Sequence, residues 1–140
     1  MSVYLDASVI VPLFTTDLFV HRAKAVLASR STEWLVSDFA SAEFASVVGN
    51  KFRTNVLSME DARAAFVHFD DWTRHYAVHT ETSSADIRMT QTLLRRLDLT
   101  LRAPDAVNLA TAMRFGAELA TFDTKLAECA HSLGISVVRV

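Results

Sequence analysis

Short apolar runs that alternate with helical segments are the feature of this chain that most constrains its fold. Residues 3–5 and 34–36 form two such runs, and a weaker run covers 76–78. Two more cover 118–121 and 135–138. Five short strands separated by helices predict an α/β fold, a three-layer α/β/α sandwich whose central sheet is mainly parallel.

The segments between these runs have the apolar spacing of amphipathic helices, and side chains that cap helices precede most of them. The expected caps are Ser8, Ser37 or Asp38, Ser58, Ser83 in a capping box with Asp86, and Asp123. Gly134 is expected to end the last helix before the final strand. The chain shows no internal repeat and no linker, so we expect one domain over residues 1–140.

Composition excludes several classes of protein. Hydrophobic residues make up 51% of the 140 residues and charged residues 21%, which excludes a disordered chain. No apolar run approaches the roughly 20 residues that cross a bilayer, and the first residues lack a basic leader. Cys129 is the only cysteine, which excludes an internal disulfide and a cysteine-rich zinc site. We therefore expect a soluble, cytoplasmic protein.

Asp105 lies in the first turn of a predicted helix. Pro104 has a fixed φ and no amide hydrogen, so it suits a helix start and not a helix interior. The apolar spacing that follows continues through Met113. A carboxylate at this position stabilises the helix dipole by roughly 0.3–1 kcal/mol, so Asp105 has a structural explanation as well as a functional one.

Three further carboxylates fall where they can meet Asp105. Asp6 and Asp123 directly follow predicted strands, and Glu43 lies near the start of a predicted helix. Parallel strands with right-handed crossovers bring their carboxyl ends to one edge, where functional groups collect. The spacing therefore predicts a crevice that contains four carboxylates.

Each carboxylate also has a purely structural interpretation. Asp6 could be a turn residue that precedes the Ser8 cap, and Asp123 could be only a helix cap. Glu43 is harder to explain in this way, because its helix neighbours are mostly small or apolar and an unpaired buried carboxylate is costly. A cap cannot explain it. A salt bridge to one of the arginines could explain it.

These segments resemble the PIN-domain family, and within it the VapC-type ribonuclease toxins of toxin–antitoxin pairs. The resemblance covers nearly the whole chain through four segments in order, residues 3–8, 37–43, 105–112 and 121–123. It implies a metal-dependent endoribonuclease, an inhibitory VapB-like antitoxin and a homodimer. Asn108 departs from the pattern where related domains can carry another acid, which leaves the number of metal ions, one or two, open.

The resemblance implies that Asp6, Glu43, Asp105 and Asp123 are catalytic and hold Mg²⁺ or Mn²⁺ directly or through water. Such hard cations prefer oxygen ligands, and they neutralise carboxylates that would otherwise repel one another. Three polar residues could support these ligands or orient the phosphate, with helix capping as the alternative. They are Ser8, Asn108 and Thr121.

An acidic centre that receives RNA needs cations around it. The net charge is −2, and the four candidate ligands carry four negative charges, so the rest of the chain is slightly basic. Arg95, Arg96 and Arg102 precede the Asp105 helix and are the leading substrate-binding candidates, followed by Lys51 and Arg53. The alternative for each is an ordinary solvated helix surface. No aromatic-rich RNA-binding signature is visible.

Large apolar residues on two predicted helices suggest either core packing or a groove for a partner helix. They are Phe44, Val48, Phe52, Phe66, Phe69 and Trp72. Other functions remain: a PIN nuclease of RNA processing, and a catalytically inactive binding module. A phosphoacceptor receiver domain fits less well, because Asp6 stands alone and Lys125 falls inside a helix.

Overall fold

The computed structural model describes residues 1–138 as four strands and seven helices. The strands are β1 (Ser2–Leu5), β2 (Glu33–Ser37), β3 (Ala77–Thr80) and β4 (Glu118–Ala120). The helices are α1 (Ala7–Phe14), α2 (Val20–Ala28), α3 (Asp38–Arg53), α4 (Met59–Tyr76), α5 (Ser84–Leu94), α6 (Ala103–Phe115) and α7 (Thr124–Ser132). No helix in this part of the chain combines the length and apolar character needed to cross a bilayer.

The sheet has the order β3-β2-β1-β4, and every pair of neighbouring strands is parallel. This confirms the predicted α/β sandwich with its parallel sheet. The chain runs outward from β1 through β2 to β3, then returns to place β4 on the other side of β1. The strand order therefore reverses between β1 and β4, which is where open α/β sheets bind ligands.

The predicted fifth strand over residues 135–138 is wrong as a full strand. A single parallel bridge joins Leu119 to Val137. Two backbone hydrogen bonds accompany it, from Leu119 N to Ser136 O and from Val138 N to Leu119 O, both 2.8 Å. Because β4 has only three residues, it offers little edge for the chain to pair with after α7.

Most of the predicted helix caps are confirmed, with one exception. Ser37, Ser58 and Asp123 accept backbone N–H groups at the starts of α3, α4 and α7. Ser83 and Asp86 form the predicted capping box of α5. At α1 the cap is Asp6 and not Ser8, because the helix begins at Ala7 and Ser8 already lies inside it.

The core is built on β1 and on a cluster of aromatic side chains from α1, α3 and α4. Val3, Tyr4 and Leu5 have no solvent exposure. Phe44 stacks on Phe69 with ring centroids 4.4 Å apart, and Phe14 contacts both rings edge-on. Of the large apolar residues on α3 and α4, Phe44, Val48 and Phe69 are therefore core residues, whereas Phe52 stays 38% exposed.

Helices α5 and α6 are tied together by an ion pair between the buried Asp86 and the more exposed Arg114. The Arg114 guanidinium donates to Asp86 through Nε at 2.7 Å and Nη2 at 2.8 Å. Burial alone would raise the pKa of Asp86, but the hydrogen bonds from Arg114 and from the Ser83 amide hold that pKa below its ordinary value. This pair anchors the helix whose first turn carries Asp105.

Candidate functional site

A cleft of about 520 Å³ opens where the strand order reverses, and all four predicted carboxylates line it. Asp6 follows β1 and Asp123 follows β4, so each sits at the carboxyl end of a strand. Glu43 projects from the second turn of α3, and Asp105 from the first turn of α6. The fold thus brings together residues from four separate segments of the chain.

Asp6 is held by hydroxyl groups on both sides of the point where the strand order reverses, between β1 and β4. Its Oδ2 accepts hydrogen bonds from Ser8 Oγ at 2.7 Å and Thr121 Oγ1 at 2.9 Å. Ser8 Oγ in turn accepts the amide of Phe122 at 2.9 Å. These hydroxyls join the end of β1 to the segment after β4. They also fix the carboxylate of Asp6, a residue that is only 7% exposed.

Glu43 is held by a chain of hydrogen bonds that begins in the core. Tyr4 Oη donates to Asn108 Oδ1 at 2.6 Å, and Asn108 Nδ2 donates to Glu43 Oε1 at 2.7 Å. Ser37 Oγ lies 2.6 Å from the same phenol. Because the phenol's single proton goes to Asn108, Ser37 is the donor at that contact. The chain fixes the amide orientation of Asn108 and hence the position of Glu43.

Asp105 and Asp123 are held by backbone amides at helix starts. Asp105 Oδ2 accepts the amide of Arg102 at 3.4 Å. Asp123 Oδ1 accepts the amides of Lys125 at 2.9 Å and Leu126 at 3.1 Å. Both residues therefore do stabilise helix starts, as their structural interpretations proposed.

The four carboxylates share one bonding pattern. Each is held through one oxygen only, Oδ2 of Asp6 and Asp105, Oε1 of Glu43 and Oδ1 of Asp123. Within residues 1–138 the other oxygen of each accepts no hydrogen bond, and none of the four joins an ion pair. No arginine of this described part of the chain pairs with Glu43, so a salt bridge within it does not explain that residue. The arrangement leaves four oxygens able to bind a cation.

Burial, together with the crowding of negative charge, raises pKa values in the cleft. Burial, with the nearby charges of Asp6 and Asp105, raises the pKa of Glu43 to about 7, against a smaller opposing effect of the Asn108 hydrogen bond. Burial also raises the pKa of Asp105, and the charges of Asp123 and Asp6 add to the effect. A bound cation would relieve this repulsion.

The donor set fits a hard divalent cation bound partly through water. All donors are carboxylate, hydroxyl or amide oxygens, which suit Mg²⁺ and Mn²⁺. Among the described residues, no three His, Cys, Asp or Glu side chains are placed as a complete metal cage. Mg²⁺ in proteins commonly uses one or two carboxylates and keeps several waters, so a wide acidic cleft meets its needs.

The predicted cationic residues fall into two groups. Arg102 lines a second cleft, of about 610 Å³, which shares Asp105 and Asp123 with the acidic cleft and also contains Lys125. Lys51 lines the acidic cleft itself, 3.7 Å from Asp17. Arg53, Arg95 and Arg96 line neither cleft, and Arg96 pairs with Asp98 at 2.8 Å.

Sequence reasoning missed two contributors to this site. The sequence pattern places Tyr4 in the apolar strand and nothing more, yet its hydroxyl begins the hydrogen-bond chain to Glu43. A buried tyrosine needs a partner for its hydroxyl, and that requirement was the available signal. Lys125 is exposed in the first turn of α7 and faces the second cleft, for which the sequence offered no signal.

The fold and the cleft together define an α/β protein with a carboxylate cluster at the point where the strand order of a parallel sheet reverses. Residues 3–132 match the PIN domain, so the chain belongs to the PIN domain family. No curated protein sequence gives a significant match.

Solved structures with the same fold include VapC-type toxins. VapC20 of Mycobacterium tuberculosis, a Sarcin-Ricin loop cleaving toxin, is 18% identical with a TM-score of 0.76, over 99% of both chains. VapBC2 of Rickettsia felis, bound to a promoter DNA fragment, is 14% identical with a TM-score of 0.70, over 99% of this chain and 98% of that one. A toxin-antitoxin complex of Klebsiella pneumoniae is 20% identical with a TM-score of 0.63, over 88% of each.

Proposed function

We propose that this protein is a metal-dependent endoribonuclease and the toxin of a VapBC-type toxin–antitoxin pair. The observation that carries the proposal is the acidic cleft, where four carboxylates each have one oxygen held by the protein and one oxygen without a partner among residues 1–138. Membership of the PIN domain family and the similarity to toxin structures support it.

Asp6, Glu43, Asp105 and Asp123 would hold Mg²⁺ or Mn²⁺, as one or two ions. When bound, such an ion polarises a phosphate oxygen and lowers the pKa of water, so that water can attack phosphorus at neutral pH. The protein's own contribution is positional. Ser8 and Thr121 fix Asp6, and Asn108 fixes Glu43, so the carboxylates need little rearrangement when the substrate arrives.

The RNA backbone would be bound by cations next to the acids. Arg102 and Lys125 line the cleft that adjoins Asp105 and Asp123, so they can contact a phosphate one step along the strand from the reacting one. Lys51 lies on the other side, in the acidic cleft. Arg95 and Arg96 remain proposed contacts only for RNA that extends beyond both clefts.

Cleavage of a fluorescent RNA by purified protein tests the activity. We expect cleavage with Mg²⁺ or Mn²⁺ and none with EDTA. Asp6→Asn and Glu43→Gln should each reduce cleavage by at least about 100-fold, because each removes a charge from the cation site. Asp71→Asn is the matched control, since Asp71 is an exposed acid that lies outside both clefts and pairs with Arg74. Full activity in EDTA or in the Asp6 variant would contradict the proposal.

The proposed antitoxin partner would cover apolar side chains near α3 and α4. Val56, Met59 and Val67 are 62%, 52% and 58% exposed, and they lie on α4 or just before it. An amphipathic antitoxin helix is a suitable occupant. The product of the neighbouring reading frame should co-purify with the protein and suppress cleavage, and Val67→Asp should weaken that suppression without lowering cleavage. Size-exclusion chromatography tests the homodimer that the resemblance implies.

A further inference from the structure

Two phenylalanine rings form a stacked pair at the wall of the acidic cleft. The centroids of Phe19 and Phe122 are 5.1 Å apart and the rings are 19° from parallel. The Arg22 guanidinium carbon lies 5.1 Å from the first centroid and 5.0 Å from the second. Both phenylalanines line the cleft that contains the four carboxylates.

The pair is partly open and firmly positioned. Phe19, at the start of α2, is 39% exposed, and Phe122 is half-buried. Phe122 lies between Thr121, which bonds Asp6, and Asp123, and its amide donates to Ser8 Oγ. Its backbone is therefore fixed by the same hydroxyls that hold Asp6. Exposed aromatic surface at this position favours a ligand with a flat apolar face.

We propose that Phe19 and Phe122 form a stacking subsite for a nucleobase of the RNA substrate. The inference rests on the proposed nuclease function, because the position of the scissile phosphate in the acidic cleft would determine which base reaches the rings. Bases of single-stranded RNA stack on aromatic side chains and on arginine planes. Here the two rings and Arg22 form one such surface beside an acidic centre.

The flat aromatic surface of Phe19 and Phe122 favours a nucleobase as its ligand, and stacking on it does not require a particular base. The lining of the cleft includes the apolar side chains of Ala7, Val11 and Pro12. The polar groups shown bonded to the two phenylalanines are already engaged, since Asp17 Oδ1 accepts the Phe19 amide and Ser8 Oγ accepts the Phe122 amide, both at 2.9 Å. Stacking without edge contacts accepts any base. The stacking itself therefore adds affinity at one nucleotide position, next to the scissile phosphate, and does not depend on which base is there.

RNA with a single abasic nucleotide, moved stepwise along the cleavage region, tests this subsite. For the wild type, removal of one particular base should raise KM by roughly 5- to 150-fold, the range expected for loss of one base–aromatic stack. Phe19→Leu and Phe122→Leu should raise KM for intact RNA by a similar factor with little change in kcat. At that position the abasic nucleotide should then cost the variants nothing further.

Phe115→Leu is the matched control. The Phe115 ring is 40% exposed and lies 4.4 Å from the Arg114 guanidinium carbon, but it does not line the cleft. This variant should keep the wild-type KM and the wild-type abasic profile. If the leucine variants at the cleft retain the full abasic penalty, the rings do not stack on a base and the inference is overturned.

A binding measurement keeps the inference testable if the variants fold poorly or the protein does not cleave. RNA with 2-aminopurine at the abasic-sensitive position, or at each position in turn, is titrated with the Asp6→Asn protein. Quenching at one position supports the subsite, and binding without quenching at any position overturns it. Absence of cleavage together with position-specific quenching would contradict only the nuclease proposal. Loss of antitoxin binding with unchanged RNA affinity in the leucine variants would assign the rings to the partner and overturn the inference.

Discussion

The side-chain amide of Asn108 donates to Glu43 Oε1 across 2.7 Å, although the residues are 65 positions apart in the chain. Asn108 is 1% exposed, and its carbonyl oxygen accepts the Tyr4 hydroxyl. The neutral amide of Asn108 can hold the Glu43 carboxylate, whereas a fifth acid at this position would repel it. The cleft thus combines acids at its surface with a neutral support beneath them.

Tyr4→Phe should reduce both stability and activity. The change removes the hydroxyl that lies between Ser37 and Asn108, so buried polar groups lose a partner at a cost of about 1–3 kcal/mol in the free energy of unfolding. Asn108 also loses the hydrogen bond that fixes its amide, so it holds Glu43 less firmly. Urea unfolding measures the first effect and RNA cleavage the second. Tyr76→Phe, at a site 70% exposed, should change neither.

The pH dependence of stability should reveal the raised pKa of Glu43. Its folded pKa of about 7 lies above its ordinary value of 4.5, so the folded protein binds this proton more tightly than the unfolded chain does. The stability of the metal-free protein should therefore fall as pH rises from about 4.5 through 7. Glu43→Gln should reduce this fall in stability. It should not abolish the fall, because Asp105 also has a raised pKa. An unchanged profile in the Gln variant would contradict the raised pKa.

Mg²⁺ should compete with protons for the same cleft. Because a cation binds the ionised carboxylate and not the protonated one, Mg²⁺ affinity should increase as pH rises through about 7. Isothermal titration at pH 6 and pH 8 measures this difference. In Asp6→Asn the affinity should be low at both values.

Asp86→Asn should destabilise the protein at neutral pH and not in acid. The pKa of Asp86 is lowered, so its contribution is fully present above its ordinary value of 3.8 and is lost as pH falls through the folded pKa. We expect a loss of about 1.5–3 kcal/mol near pH 7, the usual range for hydrogen bonds to a charged group. Asp71→Asn, which breaks an exposed pair with Arg74, should cost less than about 1 kcal/mol.

Phe44→Ala should destabilise the fold by about 3–5 kcal/mol, because the ring is 1% exposed and packs against Phe14 and Phe69. Phe52→Ala on the same helix removes a ring that is 38% exposed and should cost clearly less. Urea unfolding measures both changes. Equal losses would contradict the assignment of Phe44, and not Phe52, to the core.

The acids of the cleft show how a structural and a functional role coexist in one residue. From the sequence, helix capping and cation binding were competing interpretations of Asp123. In the structure its Oδ1 caps α7, while Oδ2 accepts no hydrogen bond from residues 1–138. Sequence pattern cannot separate the two roles, because both place a carboxylate at the start of a helix after a strand.

The sequence by itself determined the features that depend on neighbouring residues. The strand at residues 3–5, the cap at Ser58 and the Ser83–Asp86 box follow from apolar runs and short-range hydrogen bonds. Parallel strands then required Asp6 and Asp123 to share an edge.

Only the tertiary structure decided the features that depend on distant contacts. The bond between Tyr4 and Asn108, the stacking of Phe19 on Phe122 and the reduction of the last strand to one bridge are of this kind. No local pattern encodes them, because the partners meet only after the sheet has brought distant segments together.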